Sequence, residues 1–176
     1  MRHLAYNMKN KQLNILGLAG LILFAAGALP SLSWLTLPGL IVLMYLYLAI
    51  DKLGFGSKLF KISLVQLIFA LPAMGFVAYV NLDHNLVANN QSLYYVSLAI
   101  VVGCLLFLAY TSYLVALNLL LLGKNSNNMW FKISGVLTKV GAFTMPVLGL
   151  GFLFLVLAQP IFLLGCITYK PLASVE

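Results

Sequence analysis

Long apolar runs separated by short polar ones dominate this chain. Six runs can be drawn: Leu13–Leu29, Leu35–Ile50, Ile62–Val80, Leu93–Leu122, Ile133–Pro146 and Leu150–Tyr169. Their length predicts helices rather than strands, and a helix needs roughly 17–25 apolar residues to cross the hydrocarbon core of a bilayer. The first two runs are near the short end of that range and are joined by the uncharged turn Pro30-Ser31-Leu32-Ser33-Trp34. Trp34 suits an interfacial level, where aromatic rings anchor. The third run contains Pro72, which predicts a kink. It leads into a polar segment, Asn81 to Gln91, without Lys or Arg. The fourth run would be about 45 Å long as a single helix, so it should tilt or project into the interface. Apolar sequence then continues from Ile133 to Tyr169, roughly 55 Å as one helix. That is too long for one crossing, and Pro146, Gly149 and Gly151 predict a break at Pro146–Gly151.

The polar breaks carry a one-sided charge pattern. Six crossings place Arg2, Lys9, Lys11, Lys52, Lys58, Lys61, Lys124, Lys132 and Lys170 on one side, with Lys139 about two turns inside the same boundary. The opposite side receives no Lys or Arg. Cytoplasmic loops attract such a bias, so both termini are expected inside. A five-crossing arrangement would move only Lys170. The predicted fold is therefore all-α: a single polytopic membrane helical bundle over residues 1–176, with two short hairpins flanking two central helices. A weak internal echo between Gly20–Pro30 and Gly135–Pro146 fits that plan.

Composition strengthens the membrane reading. The chain is 63% hydrophobic and 7% charged, against roughly 45–50% and 25% for soluble domains. The net charge of +7 comes from bases spread over short loops. It points to anionic headgroups rather than to nucleic acid. Cys104 and Cys166 both fall in apolar runs and are expected to act as small hydrophobes rather than as a disulfide framework. The N-terminus imitates a secretory signal, with bases ahead of an apolar stretch and Ala26-Gly27-Ala28 in the cleavage position. We read it as a retained first crossing in a prokaryotic cytoplasmic membrane.

Candidate sites are few. Lys139 is the one charge set well inside an apolar run, and burial there is expensive. It lies roughly 9 Å from the inner end of its predicted helix, and its stem is long enough to reach headgroups. Gln66 and Asn118 sit about one turn from the inner ends of theirs, at similar depth. With Asp51 they make a candidate polar cluster of Lys139, Gln66, Asn118 and Asp51. Plain interhelical hydrogen bonding is the expected use of Gln66, Asn118 and Gln159. Ala99 with Gly103, and Gly17 with Gly20, are small-residue pairs suited to close helix packing within the chain or with another copy. Asp83 and His84, among Asn81, Asn85, Asn89 and Asn90, read as a solvated outer loop, too poor in ligands for a metal.

The order of a short Gly-rich hairpin, a Lys-bearing loop, two central helices, a polar turn and a second Gly-rich hairpin resembles the prokaryotic domain of unknown function 996 family. LNILGLAGLILFAAGALP, LPGLIVLMYLYLAIDKL and FKISGVLTKVGAFTMPVLGLGFLFLVLAQPIFLLGCITY carry the resemblance, over about half the chain. It implies a small multi-pass membrane protein and no particular activity.

No Gly-x-Ser-x-Gly, His-Glu-x-x-His or P-loop occurs, and three acids leave little for carboxylate chemistry. The expectation is a non-enzymatic protein without a cofactor. It would act through helix contacts as an accessory or assembly subunit, with the bilayer and other membrane subunits or copies of itself as partners. The alternative is a small-molecule transport component or a homomeric channel. Its size and crossing number are similar to the substrate-binding subunits of energy-coupling-factor transporters, although Ala19, Ala25, Ala26 and Ala28 lack their Ala-xxx-Ala spacing.

Overall fold

Most of this chain favours helix; Pro30 and Pro146 fall where helices stop, while Gly17, Gly20, Gly103 and Gly135 lie within them. The computed structural model describes residues 2–53, 57–82, 91–146 and 150–169, with backbone alone at 2–10, 70–71, 73–82, 91 and 93–94. Among these residues there are six α-helices and no strand. They are α1 (Arg2–Gly27), α2 (Thr36–Asp51), α3 (Leu59–Leu82), α4 (Gln91–Asn125), α5 (Met129–Thr144) and α6 (Gly151–Ile167). Helix α1 begins well ahead of the apolar run, because Arg2 to Gln12 contains good helix formers and neither Gly nor Pro. Helix α3 continues through Pro72 and α6 through Pro160.

The turns follow local chemistry. Residues Pro30–Leu35 form a 3-10 turn with Pro at its start, where the missing amide donor costs nothing. Asn127 adopts a positive φ of 48°, a conformation Asn tolerates better than most residues. Its neighbour Asn128 caps α5, accepting the Trp130 N–H at 2.9 Å. Helix α5 stops at Thr144 and α6 starts at Gly151, so the last apolar stretch is two helices. Residues 147–149 of the expected turn lie outside the described residues, as do Asp83, His84, Asn85, Asn89 and Asn90.

Each helix packs on its neighbours in sequence, and α1 closes onto α6. The result is a ring of six. Its core lies toward the Lys-bearing end, where Leu13, Ile50, Leu59, Leu122, Phe131 and Cys166, one from each helix, are buried together. The closure depends on Gly17 and Gly20 of α1. A Cβ on Gly17 would stand 2.9 Å from the Cys166 Cβ, and one on Gly20 would stand 3.0 Å from Leu163. Only glycine admits this approach.

At the same end, the last carbonyls of α6 are tied down by side chains of its own cap and of neighbouring helices. Leu164 O accepts from Thr168 Oγ1 at 2.8 Å. Gly165 O accepts from Asn128 Nδ2 at 3.1 Å. Asn14, with its amide nitrogen turned toward α6, donates to Cys166 O and Ile167 O at 2.8 and 3.3 Å. All four final carbonyls of α6 are thereby satisfied, which matters most where water is scarce. Among the described residues, two helical stretches, Pro30–Asp51 and Tyr95–Asn125, are long and apolar enough to cross a membrane. Lys11–Gly27, Leu59–Phe69 and Gly151–Ile167 are shorter apolar stretches.

Candidate functional site

The four residues of the sequence-predicted polar cluster occupy three separate places. Asp51 and Asn118 come together at the start of α3. Asp51 Oδ1 accepts from Ser57 Oγ at 2.6 Å and from the Leu59 N–H at 3.0 Å, while Oδ2 accepts the Phe60 N–H at 2.9 Å. Asn118 Oδ1 accepts the Lys58 N–H at 2.8 Å. Successive amide donors at this helix start thus meet acceptors from α2 and α4. A negative carboxylate also sits favourably at a helix N-terminus. The pair is a helix cap, and its work is structural.

Lys139 stands apart from both. Its Nζ lies over the Tyr113 ring, 6.0 Å from the centroid. Gln66 is elsewhere again, donating from Nε2 to Ser112 Oγ at 2.9 Å. The small-residue pairs also divide. Gly17 and Gly20 pack against α6, whereas Ala99 and Gly103 are exposed, and a Cβ on Gly103 would meet nothing within 4 Å. The expectation of close packing at Ala99–Gly103 is therefore not met by any described helix of this chain. Small residues on a uniformly apolar helix do not reveal which face turns inward.

Gln66 leads to the most distinctive feature of the interior. A half-open cavity of about 240 Å³ is lined by residues of α2 to α6. Six of the lining residues are polar: Tyr47 of α2, Ser63 and Gln66 of α3, Ser112 of α4, Thr138 of α5 and Gln159 of α6. Leu40, Leu43, Met44, Leu67, Leu108, Val115 and Leu155 complete the wall. None of the described lining residues is a carboxylate, an ammonium or an imidazole. The cavity wall is therefore mainly apolar, and the polar groups set in it are uncharged.

Several of these groups are held in place. Gln66 is fixed by Ser112. Tyr47 OH donates to Gln159 Oε1 over 3.4 Å, a long bond that links α2 to α6. Thr138 Oγ1 is turned back on its own helix, donating to Ser134 O at 2.8 Å, and Ser134 Oγ donates to Ala158 O at 2.9 Å, joining α5 to α6. Toward the Lys-bearing end Tyr47 joins an aromatic group. The Tyr47 ring lies 5.0 Å from Phe162, and Phe162 lies 5.6 Å from Phe131, centroid to centroid.

Comparison with protein-family models, curated proteins and solved structures yields no match. The cavity must therefore be interpreted on its own chemistry. Gln66 and Gln159 were visible in the sequence as strongly polar residues in apolar runs, but Tyr47, Ser63, Ser112 and Thr138 were not singled out. A signal existed in the spacing: Ser63 and Gln66 are three apart, and Ser134 and Thr138 four apart, so each pair shares one helix face. Among the described residues no three of His, Cys, Asp and Glu come together as a metal site.

Proposed function

We propose that the chain is an integral membrane protein of six crossings whose interior cavity binds a small uncharged molecule, as a component of small-molecule transport. The single observation that carries this reading is the convergence of polar side chains from five helices on one cavity in a chain that is otherwise apolar. Polar groups are costly within a bilayer and are retained where they serve an interior path or site. The cavity is smaller than the roughly 300–1,000 Å³ of pockets that take drug-sized ligands, which favours a compact ligand. Hydroxyl, phenol and carboxamide groups suit binding better than bond chemistry, so the protein is taken as non-enzymatic.

Exposure supports the membrane part of this proposal. The core helix of a soluble protein is mostly buried, but the apolar windows of Pro30–Asp51 and Tyr95–Asn125 are each only 17% buried. Ile15, Ile22, Leu37, Ile41, Phe69 and Leu153 are among many large apolar side chains turned outward. Water would tolerate such a surface poorly, whereas lipid is its natural solvent. The Lys pattern supports an orientation with both termini in the cytoplasm. The resemblance to the domain of unknown function 996 family agrees with this class and adds no activity.

A second reading, an accessory subunit acting through helix contacts, is favoured by one observation. Ala99 and Gly103 form a small-residue face that no described helix of the chain covers. The two readings separate on purification from native membranes in mild detergent, followed by mass analysis of small molecules released on denaturation. The wild type should release a compact neutral molecule that Leu155→Trp, which fills the cavity from its apolar wall, does not retain. Equal release from both proteins, or none from the wild type, would count against the cavity as the functional site.

A further inference from the structure

A second opening lies between α1 and α2 at the Lys-bearing end and shares no lining residue with the interior cavity. It holds about 140 Å³, and its walls include Gln12, Leu13 and Leu16 of α1 with Tyr45, Leu48 and Lys52 from α2 and its C-cap. We infer that this cleft seats an anionic phospholipid of the cytoplasmic leaflet, with its phosphate at Lys52 and the upper part of one acyl chain between the two helices. The inference rests on the proposal that the chain spans a membrane with this end in the cytoplasm, and it is independent of what the interior cavity binds.

The cleft is polar at one end and apolar below. Lys52 and Gln12 are exposed at its mouth, and Lys11 is exposed beside Gln12. Leu13 is buried at its floor, and Leu16 and Leu48 are half-buried along its sides. Tyr45 lies about two turns, roughly 10 Å, from Lys52 toward the bilayer centre. Ile41, one turn further on the same face of α2, is exposed as well. A trough thus runs from the headgroup level into the level of the acyl chains.

The mouth also has the right charge. None of the described lining residues is acidic. Asp51, the one acid among the described residues, gives both carboxylate oxygens to Ser57 and to the start of α3, so its charge is engaged away from Lys52. Basic groups between helices on the cytoplasmic side attract anionic headgroups. A zwitterionic lipid brings its own cation to the same place and gains less. A free anion would use the mouth alone and leave the apolar trough unfilled.

Tryptophan quenching by lipids brominated on their acyl chains tests this in vesicles of phosphatidylcholine and phosphatidylglycerol. Tyr45→Trp, in full-length protein with Trp34→Phe and Trp130→Phe, puts the probe on the cleft wall. Native Trp130, in protein with Trp34→Phe alone, is the control, since it is exposed at the start of α5 and outside the cleft. Quenching across lipid mixtures gives the binding constant of phosphatidylglycerol relative to phosphatidylcholine. It should be about fivefold at Tyr45→Trp, as one Lys near the surface supplies, and smaller at Trp130. Lys52→Gln should bring Tyr45→Trp down to the Trp130 value, and Lys52→Arg should preserve the preference. Unchanged quenching by brominated phosphatidylcholine in Lys52→Gln shows that the variant is folded.

An equal preference at the two tryptophans, or one that survives Lys52→Gln, would overturn the cleft as a lipid seat and leave the membrane reading standing. A preference abolished by inorganic phosphate, but not by sodium chloride of the same ionic strength, would overturn it in favour of a free anion. Absence of quenching by either lipid at either tryptophan would overturn the membrane reading together with the seat.

Discussion

The side-chain oxygen of Asn118 accepts the backbone N–H of Lys58 at 2.8 Å, so α4 caps the helix that precedes it. Asp51 of α2 takes the next two amides of the same helix start. Three helices are thereby joined at one point by groups that would otherwise be orphaned donors. Removing either acceptor should destabilise the fold. Asn118→Ala should cost about 1 kcal/mol, the usual value of a lost cap. Asp51→Ala should cost more, roughly 1–3 kcal/mol, because it strands donors at Leu59, which is fully buried, and at Phe60. Reversible unfolding in detergent measures both. A loss smaller for Asp51→Ala than for Asn118→Ala would contradict the capping geometry.

Lys139 should be independent of that cap. It sits over Tyr113 and makes no ion pair with Asp51 among the described residues. A cation over a ring is worth roughly 0.5–1 kcal/mol in exposed settings, so Lys139→Leu should shift stability only slightly. The double variant with Asp51→Asn should be additive within about 0.3–0.5 kcal/mol. A larger coupling energy would place the two charges in contact and revive the polar cluster read from sequence.

Gly17 and Gly103 look alike in sequence and should respond oppositely to the same change. Gly17→Ala forces a methyl to 2.9 Å from the Cys166 Cβ, and overpacking of this kind costs typically 1–3 kcal/mol. Gly103→Ala meets open space and removes a helix-weakening residue, so it should be neutral or stabilising by up to about 1 kcal/mol. Melting temperatures of the two variants decide this. Loss of a dimer in Gly103→Ala, seen by sedimentation, would instead assign the Ala99–Gly103 face to a second copy.

The contrast shows what the sequence could and could not say. Six helices, the break before Gly151 and the small residues of α1 followed from apolar run length, Pro and Gly, because those signals depend on local backbone physics. Facing was not legible. Helices that are apolar on all sides carry little periodicity, so nothing told Gly17, which turns inward, from Gly103, which turns outward. The cavity was equally hidden. Ser63, Ser112 and Thr138 can satisfy their own hydroxyls on backbone carbonyls and pass unnoticed in apolar helices. Asp51, Gln66, Asn118 and Lys139 were grouped by depth along their helices, but depth does not fix azimuth, and of the four the ring brings together only Asp51 and Asn118.

Topology is testable at residues that the structure leaves exposed. With Cys104 and Cys166 replaced by Ala, Lys52→Cys and Asn127→Cys should react with an impermeant thiol reagent from the cytoplasmic side alone. Ser33→Cys, in the turn between α1 and α2, should react from the opposite side alone. Labelling of all three from one side would contradict crossing by the first hairpin.

The central claim is that polar side chains converge on an interior space that polar molecules can enter. Modification of Ser112→Cys, in the same cysteine-free background, addresses it most directly. Ser112 is 2% exposed and belongs to the cavity wall. In native membranes a small polar methanethiosulfonate should modify this cysteine without denaturant, more slowly than Asn127→Cys, and Leu155→Trp should block the reaction. A cysteine at position 112 that reacts only after unfolding would mean a closed, dry interior and would contradict the account.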